Sequence, residues 1–281
     1  MKTTNTNRTV SVLFMLLFVL SLGTMQAQET AEKTYVEVGC LKAKVPGNPE
    51  LEAFLMDEAM AYNKVAMEKG MILDFLVFRM MYPNGDDCKC DYRMVSVYNG
   101  MAQMDMFTPA DTGMKLATEA FGDGAQAAWE KWMSLVNYKG SEIFELTMSA
   151  SEGPVYSPMT HVNFMSVKPD NAMAYEKMEQ DVWMPVVKEA MKQGMLEDMT
   201  IWRRVMPNGK GYEGDYIQVV DIENFAQMGS WEMEKFAAIF QKVHPGVDIG
   251  EMMQKSNKLS KVLRDETMML MGRLSAALAD D

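Results

Sequence analysis

The chain matches itself at an offset of 124 residues, and no other feature limits its fold so strongly. Ala66-Met67 recurs as Ala190-Met191, Gly70-Met71 as Gly194-Met195 and Arg79 as Arg203. Pro83-Asn84-Gly85 recurs as Pro207-Asn208-Gly209, Asp91-Tyr92 as Asp215-Tyr216 and Val95 as Val219. These are eleven of the identities in a window of 30 gapless positions, and the offset persists at Gly122/Gly246, Leu135/Leu259, Glu142/Glu266 and Leu146/Leu270. A unit of this length is a copied folding module, so both halves must trace the same path.

That path is legible in the first copy. An extended stretch over residues 35–45 leads to Asn48-Pro49, a helix N-cap followed by proline at the first helical position. Leu51, Phe54, Leu55, Tyr62, Val65 and Ala66 recur at helical spacing, and Gly70 ends the helix. Residues 72–82 read as a strand. Its Phe75-Leu76-Val77-Phe78 core is apolar on both faces, so both must be covered. Pro83-Asn84-Gly85 makes a turn, and a return strand spans 91–98. A helical stretch over 109–137, broken at Gly122-Asp123-Gly124, precedes a last strand over 143–148. The second copy repeats this with strands over 161–167, 199–206, 215–222 and 267–271. Its first helix, 171–193, contains Pro185, which should kink it. The linker Ser151-Glu152-Gly153-Pro154 is rich in turn formers.

The order β-α-β-β-α-β is ferredoxin-like: helices cover one face of an antiparallel sheet and leave the other bare. The expected fold is therefore α+β, with repeats at 34–151 and 158–275 packed sheet to sheet, which hides both bare faces within one chain. A monomer is then sufficient to close the core. The Gly-capped helix, the run Trp202-Arg203-Arg204-Val205-Met206-Pro207-Asn208-Gly209 and Asp215-Tyr216 resemble a tandem member of the dimeric α+β barrel superfamily, in particular exported bacterial proteins of that type. The resemblance implies a topology. The superfamily includes haem-degrading enzymes, cofactor-free monooxygenases, isomerases, cyclases and members without known activity, and none of their catalytic motifs is recognisable here.

Residues 1–27 read as a leader for export: Lys2 and Arg8 precede an apolar run over 10–22, then small residues around Ala27. The run is well short of the ~20 residues a membrane-spanning helix needs. The net charge of −12 becomes −14 once those two cations are removed. So acidic a chain is repelled by nucleic acid and anionic membranes, so neither is expected as a partner. The expected location is periplasmic or secreted, where cysteines form disulfides. Cys40 lies late in the first strand, and Cys88 and Cys90 lie in the connection before the third. First and third strands are antiparallel neighbours in this topology, so Cys40 should reach Cys88 or Cys90. A Cys88-x-Cys90 thiolate pair for Cu(I) or Zn²⁺ is the sharper alternative.

No cofactor or metal is expected. The two histidines, His161 and His244, are too few for a His-rich zinc site and lie in no recognisable haem-ligand pattern. The 32 methionines include Met104-x-Met106 and Met268-Met269-x-Met271, a soft-ligand pattern for Cu(I), but methionine more commonly fills irregular cores and adaptable binding surfaces. Arg79/Arg203 and Asp91/Asp215, kept in both copies, read as fold residues that pair or cap the hairpin. The expected ligand is a small apolar molecule in the cleft between the sheets, lined by methionine and by Phe78, Tyr92, Trp202 and Tyr216. A cofactor-free oxygenase or isomerase would need a polar group, such as His161, Arg203 or Tyr216, to point into that cleft. A structural envelope module would instead have a filled interior.

Overall fold

The computed structural model describes residues 32–81, 89–153, 155–207 and 214–276. The leader, the turns at Pro83-Asn84-Gly85 and Asn208-Gly209, and Cys88 lie outside the described residues.

The first repeat supplies strands β1 (Thr34–Ala43), β2 (Asp74–Met81), β3 (Tyr92–Asn99) and β4 (Val136–Ser149). The second supplies β5 (Met159–Val167), β6 (Asp198–Met206), β7 (Tyr216–Ile222) and β8 (Ser260–Ser275). They form one closed barrel in the order β1-β3-β2-β8-β5-β7-β6-β4. Each repeat keeps the ferredoxin-like order, β4-β1-β3-β2 and β8-β5-β7-β6. The sheets face each other and also join edge to edge, β2 with β8 and β4 with β6. The result is a dimeric α+β barrel built within one chain. Closure removes the exposed strand edges that a lone ferredoxin-like sheet would present.

Helices cover the outside. Asn48 caps the helix Pro49–Phe54 by accepting from the Glu50 amide at 3.0 Å. A π turn, Leu55–Ala59, interrupts it before Met60–Glu68. The second repeat has the same interruption, Glu179–Trp183, before Met184–Lys192. Pro185 follows the second π turn, yet the first copy carries Ala61 there. The break therefore belongs to the module, and Pro185 occupies a helix already interrupted. Gly70 and Gly194 stop the two helices at φ +68° and +70°, a conformation that costs glycine least.

β4 and β8 are much longer than the stretches 143–148 and 267–271 expected from apolar patterning. Their first halves carry exposed Asn137, Tyr138, Lys261 and Val262 and no apolar alternation. They are held as strands by pairing with β1 and β5. The described residues form three packed layers of apolar side chains. Two lie between sheet and helices, one per repeat, and the third fills part of the barrel interior. Among the described residues, no helix is long and apolar enough to cross a membrane.

Candidate functional site

Side chains alternate across a strand, so each strand gives the barrel interior every second residue. The inward set includes Val36 and Val38 of β1, Leu76 and Phe78 of β2, and Val95 and Val97 of β3. It continues with Phe144 and Leu146, Val162 and Phe164, Thr200 and Trp202, Ile217 and Val219, and Met268 and Leu270. These residues do not fill the interior. They surround a cavity of about 410 Å³. The Trp202 indole N–H is satisfied within the wall, donating to Thr200 Oγ1 at 2.7 Å.

At one end of the cavity, ion pairs cross between repeats. Arg93 donates to both oxygens of Glu266 at 2.9 Å. Arg204 donates to Glu142 at 2.5 Å and lies over the Phe144 ring. Glu142 and Glu266 are equivalent positions, and each is neutralised by an arginine of the other repeat. Arg264 also contacts Glu266 and stacks on Phe164. The disulfide, Cys40–Cys90, is buried at this end, with Cα atoms 5.3 Å apart. It selects Cys90 over Cys88 and removes the Cys88-x-Cys90 thiolate pair as a metal site.

The other end lies beside the inter-repeat linker, whose exposed Glu152 and Gly153 join the lining. Three buried aspartates stand there. Asp74 accepts from Tyr156 Oη at 2.5 Å. Asp198 accepts from the Ser151 amide at 3.1 Å and its hydroxyl at 2.9 Å. Asp221 accepts from Thr160 Oγ1 at 2.7 Å. Burial, assisted by the charge of Asp198, pushes the Asp221 carboxyl up to about 7. None of the three was legible as a site residue from sequence, although Asp74 and Asp198 are equivalent positions of the repeat.

Of the residues expected in the cleft, Phe78 and Trp202 line it. Tyr92, Tyr216, His161 and Arg203 do not. They occupy the alternate strand positions, on the outer face of the barrel. Tyr216 donates to Glu176 at 2.7 Å, and Arg203 approaches Glu176 at 3.8 Å and Glu145 at 3.2 Å. The first repeat mirrors this with Tyr92 and Arg79 on Glu52, at 2.9 and 3.2 Å. These clusters tie sheet to helix. Asp91 and Asp215 accept from the equivalent amides of Ala43 and Val167, at 2.8 and 2.7 Å, capping the ends of β1 and β5.

His161 Nδ1 lies 3.0 Å from Thr267 Oγ1, and His244 Nε2 lies 2.9 Å from the Val182 carbonyl. Neither histidine enters the cavity lining. Met268 is the one methionine in that lining among the described residues. Most of the buried methionines, including Met71, Met184, Met195 and Met199, pack between sheet and helices instead. Met268 and Met271 fall in different layers, and Met106 is exposed while Met104 packs inward, so neither soft-ligand motif converges. Among the described residues no group of three His, Cys, Asp or Glu side chains is placed to hold a metal ion.

No protein-family model matches the sequence, and no curated protein sequence matches it. Solved structures of similar shape include a provisionally assigned monooxygenase from Fusobacterium nucleatum, at 8% identity and TM-score 0.49, covering 87% of this chain and 95% of that one. A mutant chlorite dismutase from Candidatus Nitrospira defluvii has 8% identity and TM-score 0.41, covering 85% and 91%. A haem-binding protein from Thermus thermophilus has 9% identity and TM-score 0.41, covering 86% and 92%. At these identities and scores none of them assigns an activity to this chain.

Proposed function

We propose that this is an exported binding protein that holds a small, largely apolar molecule inside its barrel. The observation that carries the reading is the unfilled interior. A cavity of about 410 Å³ lies within the ~300–1,000 Å³ range of small-molecule sites. Protein interiors are otherwise close-packed, and an empty apolar space forfeits dispersion contacts that a ligand would restore. Two further facts support it. The catalytic alternative named His161, Arg203 and Tyr216 as its example residues, and all three occupy outer-face positions, so a catalytic group would have to come from other polar side chains of the lining. The structural-module alternative called for a filled interior. The leader pattern and the Cys40–Cys90 bridge support an oxidising compartment as the site of action.

The test is to fill the space. Val219→Trp places an indole in the cavity without adding a polar group. Native mass spectrometry of the protein, exported and purified without denaturant, should show a bound small molecule that is absent from the Val219→Trp variant. Titration with octan-1-ol, followed by Trp202 fluorescence, should saturate for the original protein and not for the variant. Equal response from both would sink the reading.

A further inference from the structure

The two ends of the cavity differ in how their buried carboxylates are balanced. At one end Glu142 and Glu266 each have an arginine partner. At the end beside the linker none of the ion pairs among the described residues includes Asp74, Asp198 or Asp221. Asp198 and Asp221 are directly paired residues of β6 and β7. Both face the cavity, and they are only 2% and 9% exposed. Directly opposed residues on one sheet face have Cβ atoms about 4.5–5.5 Å apart, and like charges there repel. Their donors are neutral: Ser151 and Thr160. Arg273 is stacked over the Tyr156 ring with its Cζ 4.2 Å from the centroid. The apolar interior thus ends in a buried pair of acids that lacks a protein counter-ion.

We propose that the ligand is an apolar amine, its alkyl or aryl body in the barrel and its ammonium group between Asp198 and Asp221. This rests on the cavity reading above and specifies the ligand class. The geometry suits an ammonium group attached to an apolar body. A carboxylate offers about four acceptor positions; the two hydrogen bonds from Ser151 and the one from Thr160 leave positions on both for N–H donors. A bare metal ion fits poorly, since the acidic groups do not converge as a metal cage. Anionic ligands would meet three carboxylates at this end of the cavity. The partly raised titration of Asp221 fits the same picture, because a proton takes the place of the absent cation.

The probes are octan-1-amine, octan-1-ol and octanoate, titrated calorimetrically into the protein at pH 8. The amine should bind about tenfold or more tightly than the alcohol, as expected for a charge-assisted hydrogen bond in a buried site, and octanoate should bind least. The preference for amine over alcohol should shrink between pH 8 and pH 5.5 as the pair takes up a proton. The other groups facing it are Thr160, Ser151, Glu152, Asp74 with Tyr156, and Arg273. Asp198→Asn with Asp221→Asn should abolish the preference while leaving alcohol binding in place. The pH series on the unaltered protein decides the matter if that variant does not fold. Alcohol binding as tightly as amine overturns this proposal and leaves the cavity reading intact. Failure of all three probes overturns both. Amine binding that persists in Val219→Trp is surface attraction to an acidic chain, and it also overturns the proposal.

Discussion

Gly214 closes against Phe164 at the position where the first repeat carries its disulfide. Offset by 124 residues, Cys40 corresponds to Phe164 and Cys90 to Gly214. A Cβ on Gly214 would stand 3.3 Å from Phe164 Cβ, 3.3 Å from the Met165 amide and 3.2 Å from the Tyr216 carbonyl, at φ +82°. The same strand-end junction is therefore held by a covalent bond in one repeat and by close packing in the other. Gly214→Ala should lower stability by about 1–3 kcal/mol from the backbone conformation, plus the cost of the contacts. Gly100→Ala shares the positive φ but has nothing within 4 Å. Chemical denaturation of both variants isolates the packing contribution as their difference.

The bridge spans 50 residues, so its loss frees a long loop in the unfolded chain. Replacing Cys40 and Cys90 together by Ala should cost about 2–4 kcal/mol in denaturant unfolding under oxidising conditions. Under a strong reductant the variant and the original protein should converge. A gap that remains after reduction would mean that packing, not the covalent link, makes the difference.

Glu179 predicts a pH dependence of the opposite sign to the usual acid effect. It is 4% exposed, inside the second π turn, where the first copy has Leu55. Burial pushes its carboxyl up to about 7 despite hydrogen bonds from Tyr175 and Gln218 that favour the charged form. The folded protein thus holds a proton that the unfolded chain releases at an ordinary 4.5. The contribution to stability is complete below that value and is lost as pH rises through about 7. Glu179→Gln should stabilise the protein by about 2–3 kcal/mol at pH 8 and change little near pH 4. Unfolding curves across that range measure it. Asp221, also raised to about 7, adds a slope of the same sign that the variant retains.

The strand alternation makes a prediction about neighbours in sequence. Trp202 faces the cavity and Arg203 occupies the outer face, so adjacent substitutions should separate binding from stability. Tyr216→Phe removes the hydrogen bond to Glu176 and should cost about 1–3 kcal/mol of folding stability. It should leave octan-1-ol affinity unchanged. Trp202→Phe should weaken that binding and abolish the ligand-induced fluorescence change. Loss of binding in Tyr216→Phe without loss of stability would place the ligand outside the barrel.

Much of the fold is legible along the chain because its signals are local. The Asn48-Pro49 cap, the Gly70 and Gly194 stops and the doubly apolar Phe75-Leu76-Val77-Phe78 segment each act within a few residues. The repeat then doubles every one of them. The first halves of β4 and β8 carry no apolar pattern, because pairing with β1 and β5 alone makes them strands. Phe78 and Trp202 could be placed in the cleft as large apolar residues. Tyr92, His161, Arg203 and Tyr216 could not be placed correctly, since a shift of one residue reverses a strand's faces.

The sequence by itself determined the duplication, the β-α-β-β-α-β order and the need to cover two bare sheet faces. All three follow from periodicity and local backbone preference. Only the tertiary structure decided that Cys40 meets Cys90, that Arg93 and Arg204 cross between repeats to Glu266 and Glu142, and that Asp198 and Asp221 share one end of a cavity. Those contacts depend on hydrogen-bond register between strands far apart in the chain, and a register is settled only when the whole barrel closes.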